Sequence, residues 1–327
     1  MFRQHEISTR AKVMKRIVQS NEIYIERIYD ASVTAVWDAW TNLAKVQQWW
    51  GPRGFTLTTH SKDLKVGGHW RYTMHGPDGT DYPNKTIYHE VEKFKKLVYD
   101  HGANDDQPPL FRVTALFSEV DGKTKLQMTM ALATAEAAQA IRGFIKEAGG
   151  NATWDRLAEF LNETEHGLSS FVINRSFERS VEKLYDAWTN PEQLCRWLPP
   201  NGFKMEILRG EISSGGGFLC RMGNTNGFSF CVEFDFLECS PTQIRFTQRF
   251  CDESGKSVPA PGLPVFPEIR HNQVDFSREE NGMSRITLTT LPVGTPSADE
   301  VKAFLELRGS MTIGWSNSFD ALESLLE

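Results

Sequence analysis

The side chains best suited to chemistry lie in one part of the chain: Tyr72, His89, Tyr99 and His101. Imidazole titrates near neutrality and serves as a general acid or base when held at a substrate. Thr86–Phe94 and Lys96–His101 read as the two strands of a hairpin. Pairing Val91 with Leu97 places Ile87, His89 and Val91 inward with Leu97, Tyr99 and His101. His89 then lies across from Tyr99 with His101 on the diagonal, within side-chain reach. Tyr72 shares this inner phase on the neighbouring HWRYTMH strand, beside Trp70 and Met74. The arrangement suits a pocket with one polar end, for the polar head of a ligand or for acid–base work through His89 or His101. The plainer reading leaves these side chains solvated at the sheet edge or bonded to backbone.

Other chemistries find less support. A metal site from His69, His75, His89 and His101 is not expected, because the first two share the outward phase of their strand and the last two the inward phase. The five cysteines (Cys195, Cys220, Cys231, Cys239 and Cys251) are odd in number and form no CxxC. That argues against a disulfide framework or a zinc site and fits a reducing cytoplasm. Cys220 can line a pocket, but nothing near it in sequence lowers its pKa. No P-loop, dinucleotide fingerprint, HExxH or GxSxG pattern occurs, so no cofactor is expected. Gly215-Gly216-Gly217 reads as a turn.

These residues belong to one half of a duplication. VTAVWDAWTNLAKVQQWWGPRGF (Val33–Phe55) returns as VEKLYDAWTNPEQLCRWLPPNGF (Val181–Phe203), and Ile23–Phe55 lies over Phe171–Phe203 without a gap. Arg27/Arg175, Asp38/Asp186, Trp40/Trp188, Trp49/Trp197 and Gly54/Gly202 are among the identical pairs, and Gly67-Gly68 and Gly215-Gly216 keep the register. A period of roughly 150 residues is a whole domain. The expected division is an arm at 1–21, domains at 22–162 and 170–327, and a linker at 163–169.

In each copy the hydrophobic periodicity predicts a strand, two short helices, six strands and one long C-terminal helix, Ala135–Leu161 in the first and Ser297–Leu326 in the second. GPDGTDYPNK (76–85) reads as loop. An antiparallel sheet must bury one face, and only the last helix is long enough to cover it. The fold class is α+β, two tandem domains, each a curved antiparallel sheet wrapped around a long C-terminal helix with room for a cavity between them. The recurring tryptophans read as helix-to-sheet packing. The positions facing a ligand are Trp70, Tyr72, Met74, His89, Tyr99, His101, Met128 and Phe144 in the first copy. In the second they are Phe218, Cys220, Phe234, Phe246, Gln248 and Met311, nearly all apolar.

The net charge of −6 argues against nucleic acid as the main partner. Twenty-one Phe and nine Trp suit a thick core or an apolar cavity. The first twenty residues hold no apolar run long enough for a signal peptide or a membrane span and read as a mildly basic arm, so a cytoplasmic protein without membrane insertion is expected.

The motif R-x-[FY] before S-V, then D-A-W-T-N, W-W/L-x-P-x-G-F, G-G and a C-terminal helix carrying tryptophan resembles the SRPBCC (START-like, helix-grip) superfamily. Within it, the chain is similar to the domain of homologues of the heat-shock-protein-ninety ATPase activator. The resemblance implies a cavity for an apolar small molecule, lipid- or polyketide-like, with catalysis in only some members. The eukaryotic activator uses a separate N-terminal region that the short arm here does not match, so a chaperone partner is not carried over. Three functions are left open: a binding module for an apolar molecule, a cyclase- or hydrolase-type enzyme in the first copy, and a co-chaperone-like interaction protein. A cavity of several hundred Å3 is expected under the first two.

Overall fold

A computed structural model describes residues 15–102, 107–147 and 152–327, and each copy of the repeat forms its own seven-stranded antiparallel sheet. In the first copy β1 (Glu22–Tyr29) leads to α1 (Val33–Thr41) and α2 (Leu43–Trp49). Then come β2 (Thr56–Lys62), β3 (His69–His75), β4 (Asp81–Glu92), β5 (Lys96–Gly102), β6 (Phe111–Val120) and β7 (Lys123–Ala131), followed by α3 (Ala135–Glu147) and α4 (Ala152–His166). The second copy runs β8 (Phe171–Phe177), α5 (Val181–Thr189), α6 (Pro191–Trp197), β9 (Phe203–Gly210), β10 (Gly217–Asn224), β11 (Ser229–Ser240) and β12 (Gln243–Cys251). It closes with β13 (Ile269–Arg278), β14 (Ser284–Val293), α7 (Ala298–Glu306) and α8 (Arg308–Leu326). The first strand of each copy pairs with the last, giving the orders β1-β7-β6-β5-β4-β3-β2 and β8-β14-β13-β12-β11-β10-β9.

The duplicated residues do the same work twice. Ser32 caps α1 by accepting from Ala35 N at 3.2 Å, and Ser180 caps α5 from Lys183 N at 3.4 Å. Trp49 Nε1 donates to Ala39 O at 3.0 Å and Trp197 Nε1 to Ala187 O at 2.8 Å, so each buried indole also satisfies the end of the preceding helix. Gly67 and Gly215 sit at φ 77 and φ 78, the left-handed region that a side chain disfavours. Their N–H groups donate to Tyr88 O at 2.8 Å and Phe236 O at 2.9 Å, which pins the middle of β4 and β11.

Two bulges recur as well. The register of β2 against β3 shifts between Thr59 and Ser61, and that of β10 against β9 shifts between Leu219 and Cys220. The β4–β5 ladder shifts between Tyr88 and Glu90, and the β11–β12 ladder between Phe236 and Glu238. Each bulge bends its strand and reverses the inward–outward phase of the residues beyond it, which curves the sheets around their helices.

Three sequence expectations change. The segment expected as loop at 76–85 is strand from Asp81, because β3 offers it partners: His75 faces Asp81 and Met74 faces Tyr82. The last helix of the second copy is two, broken at Leu307, whose N–H is shared between Ala303 O and Leu305 O. In the first copy α3 and α4 lie within the expected helical span, with residues 148–151 outside the described residues, as is the expected arm up to residue 14. The expected linker is partly helix, since α4 runs on to His166.

Among the contacts that join the two domains, one carboxylate is shared three ways. Glu159 on α4 accepts a bidentate pair from Arg53 at 2.8 and 2.7 Å and the backbone N–H of Val172 on β8 at 2.8 Å. Arg308, at the start of α8, reaches the same carboxylate at 3.5 Å.

Candidate functional site

Between the first sheet and α4 lies a cavity of about 180 Å3. Its floor is the inner face of β3, β5 and β7, which brings Tyr72, Met74, Tyr99, His101 and Met128 together as five of the lining residues expected from sequence. Trp70 also faces inward but is covered: it is 2% exposed, stacks on Tyr72 at 4.1 Å and meets Trp50 at 5.3 Å. The side chain of Phe144 lies outside the described residues.

Sequence reasoning missed Trp50 and Trp154, which complete the wall. Trp50 follows α2 where the second copy has Leu198, an aromatic added beside the shared tryptophan. Trp154 comes from α4 and packs on Trp40 with ring centroids 5.2 Å apart. Aromatic pairs of this kind add about 0.5–1.5 kcal/mol each beyond area burial, so this wall is firm.

The polar groups are few and uncharged. Trp50 Nε1 donates to the Tyr72 hydroxyl at 3.2 Å, leaving that hydroxyl its own proton to give. Burial raises the pKa of Tyr72 above its ordinary value, so the phenol stays protonated at neutral pH. Thr86 Oγ1 lies near enough to favour the phenolate slightly but makes no well-formed hydrogen bond of its own. Burial raises Tyr99 too, with Tyr72 and Tyr88 adding to the effect. The His101 ring stacks on Phe111 at 4.8 Å, and burial pulls its pKa down to about 4. At neutral pH it is a neutral imidazole, able to share a hydrogen bond and a weak base. No described lining residue of this cavity carries a charge at neutral pH.

His89 is not in the cavity. It is the extra residue of the β4 bulge, so Tyr88, not His89, faces Tyr99. The same shift turns Thr86 and Tyr88 inward and Ile87 opposite Asp100. His89 Nε2 instead meets Asp100 Oδ2 at 2.8 Å on the outer face, where Arg112 also holds Asp100 at 2.7 Å. The reading of His89 as an acid or base at the cavity therefore fails on geometry, while His101 does line it. Outside, His75 meets Asp81 at 2.6 Å and Thr58 at 2.9 Å. Among the described residues no group of three or more His, Cys, Asp or Glu is placed to hold a metal.

In the second copy aromatic side chains occupy the corresponding inner face. Phe218 stacks on Phe234 at 4.5 Å, and Phe234 meets Phe246 at 5.5 Å. Cys220 is fully buried and its thiol is pushed up to about 12 by burial, so it is packing and not a nucleophile. Gln248 stands opposite Phe234 as His101 stands opposite Thr86, and Met311 packs half-buried against the core. Trp315 of α8 stacks on Trp188 at 6.0 Å. No helix among the described residues is long and apolar enough to cross a membrane.

Comparison with known proteins gives the family. No curated protein is significantly similar in sequence to the chain. Among solved structures, a protein from Nitrosomonas europaea aligns at 19% identity over 46% of this chain and 99% of its own, TM-score 0.42. A protein from Mycobacterium smegmatis aligns at 26% identity over 44% of this chain and 93% of its own, TM-score 0.41. The di-domain ARO/CYC BexL from the BE-7585A biosynthetic pathway covers 94% of this chain and 98% of its own, at 14% identity and TM-score 0.37. The profile of one family matches twice, over residues 30–162 and 178–327, once per copy, and the chain belongs to that family, the Activator of Hsp90 ATPase homolog 1-like proteins.

Proposed function

We propose that the first domain binds a compact, uncharged aromatic molecule carrying one hydrogen-bond acceptor, and holds it without acting on it. A cavity of 180 Å3 exceeds the roughly 150 Å3 that admits benzene. It falls short of the roughly 300 Å3 at which pockets for drug-sized ligands begin, so a lipid chain does not fit as the walls stand. The observation that carries the reading is the Tyr72 hydroxyl. It accepts from Trp50 and keeps its own proton to donate, in a lining with no ionised side chain, which favours a carbonyl or ether oxygen over an anion. A neutral His101 in the same lining supports binding, because no activated nucleophile accompanies it. The second domain, with its aromatic inner face, supplies packing for α4 and the junction.

Titration of intrinsic fluorescence tests this, since Trp50 and Trp154 line the cavity. Acetophenone should bind saturably, and Tyr72→Phe should weaken it about 5- to 10-fold, the worth of one hydrogen bond of roughly 1–1.5 kcal/mol. Toluene, lacking the acceptor, should bind both proteins alike. Equal loss for both ligands would mean that Tyr72 only shapes the wall, and absence of saturable binding would end the proposal.

A further inference from the structure

We propose that the cleft between the two domains is a second binding site, taking a small molecule with a carboxylate or phosphate head, held by Arg27 and Arg285. The cleft encloses about 590 Å3 and both arginines line it. Arg27 on β1 is 2% exposed; one amine donates to Glu26 O at 2.8 Å, while Nε and the other amine have no partner. Arg285 on β14 is 4% exposed and pairs with Glu279, but its remaining amine has no partner. Buried guanidinium N–H groups without acceptors are costly, and the fork they form matches carboxylate and phosphate oxygens.

The duplication shows what Arg27 lacks. Its counterpart Arg175 pairs with Asp320 at 2.7 Å, five residues beyond the stacked Trp315. Glu159, five residues beyond Trp154, occupies that place in the first copy, yet it is taken by Arg53 and Arg308 at the junction. The other carboxylates nearby are engaged too: Glu26 accepts from Tyr24 at 2.6 Å, and Asp155 from Asn174 at 2.8 Å. Asp155 attracts Arg27 without bonding to it. Both arginines line the cleft while their unpartnered N–H groups are buried, so seating an anion requires each guanidinium to turn outward. Leu168, Val172 and Leu291 line the same cleft and would receive an apolar body.

Calorimetry at constant ionic strength, with inorganic phosphate and with benzoate against chloride, tests the site. Saturable one-site binding of either is expected, phosphate pointing to a phosphate ester and benzoate to an organic acid. Arg27→Met and Arg285→Met should each weaken it at least 10-fold. Thr289→Glu, a half-buried change that puts a competing carboxylate into the cleft, should do the same in a chain that folds normally. Acetophenone should not compete, which keeps this result separate from the first cavity. No saturable binding of either anion, or affinities within twofold of the unaltered protein in these three variants, would overturn the proposal.

Discussion

Replacing Glu159 by Gln should unlock the two domains. The carboxylate is 3% exposed and serves Arg53, Val172 N–H and Arg308 at once. Gln keeps the shape but removes the charge, leaving two guanidiniums, 12% and 19% exposed, without their shared counter-ion. Removing one partner from a buried pair costs about 3–5 kcal/mol, whereas an exposed pair is worth about 0–1 kcal/mol. Glu182→Gln is the internal control, because Glu182 and Arg278 meet at 2.6 Å with side chains 65% and 69% exposed. The assay is urea denaturation followed by tryptophan fluorescence at low salt and at 1 M NaCl, where the screening length is about 3 Å. Glu159→Gln should lose about 3 kcal/mol or more at both salt levels and resolve two transitions, while Glu182→Gln should lose under about 1 kcal/mol. A loss below about 1 kcal/mol for Glu159→Gln, or one that vanishes in 1 M salt, would refute the view that this carboxylate joins the domains.

Two further outcomes concern the site. His101, ordinarily near 6.5, is held at about 4 by burial. The unfolded chain therefore takes up this proton before the native one does, and stability is lost as pH falls from about 6.5 to about 4, by at most about 3.5 kcal/mol. His101→Gln, the side chain at the matching place in the second copy, should flatten that part of the stability–pH curve, read by urea midpoints from pH 7 to pH 4. His89→Ala should change acetophenone affinity less than twofold in the fluorescence titration, because His89 lies outside the cavity.

Much of this was legible from the repeat. The paired tryptophans, the serine caps and the glycine turns all recur because each satisfies a local need twice over. The inner face of β3 came from simple alternation, so Tyr72 and Met74 were placed from HWRYTMH alone. His89 was misplaced because alternation was carried through a bulge, which shifts phase without an obvious residue signal. The duplication held the correction: Phe234 and Phe236 alternate inward in β11, and the same register lays Thr86 and Tyr88 over them. The last helix of the second copy was overread because an apolar stripe continues through the break at Leu307, where two backbone carbonyls share one N–H. Glu159 meets Arg53 and Arg308 across more than a hundred positions, as the cleft beside Arg27 joins distant segments, and no periodicity reports such a contact.

The most direct test of the central claim is calorimetric titration of acetophenone into the unaltered protein and into Val113→Phe. Val113 is 1% exposed and lines the cavity, so a phenyl ring there occupies the space itself. One saturable site in the first protein and none in the second, with the variant still folded by circular dichroism, is the expected result. Equal binding to both would place the ligand elsewhere and contradict the account.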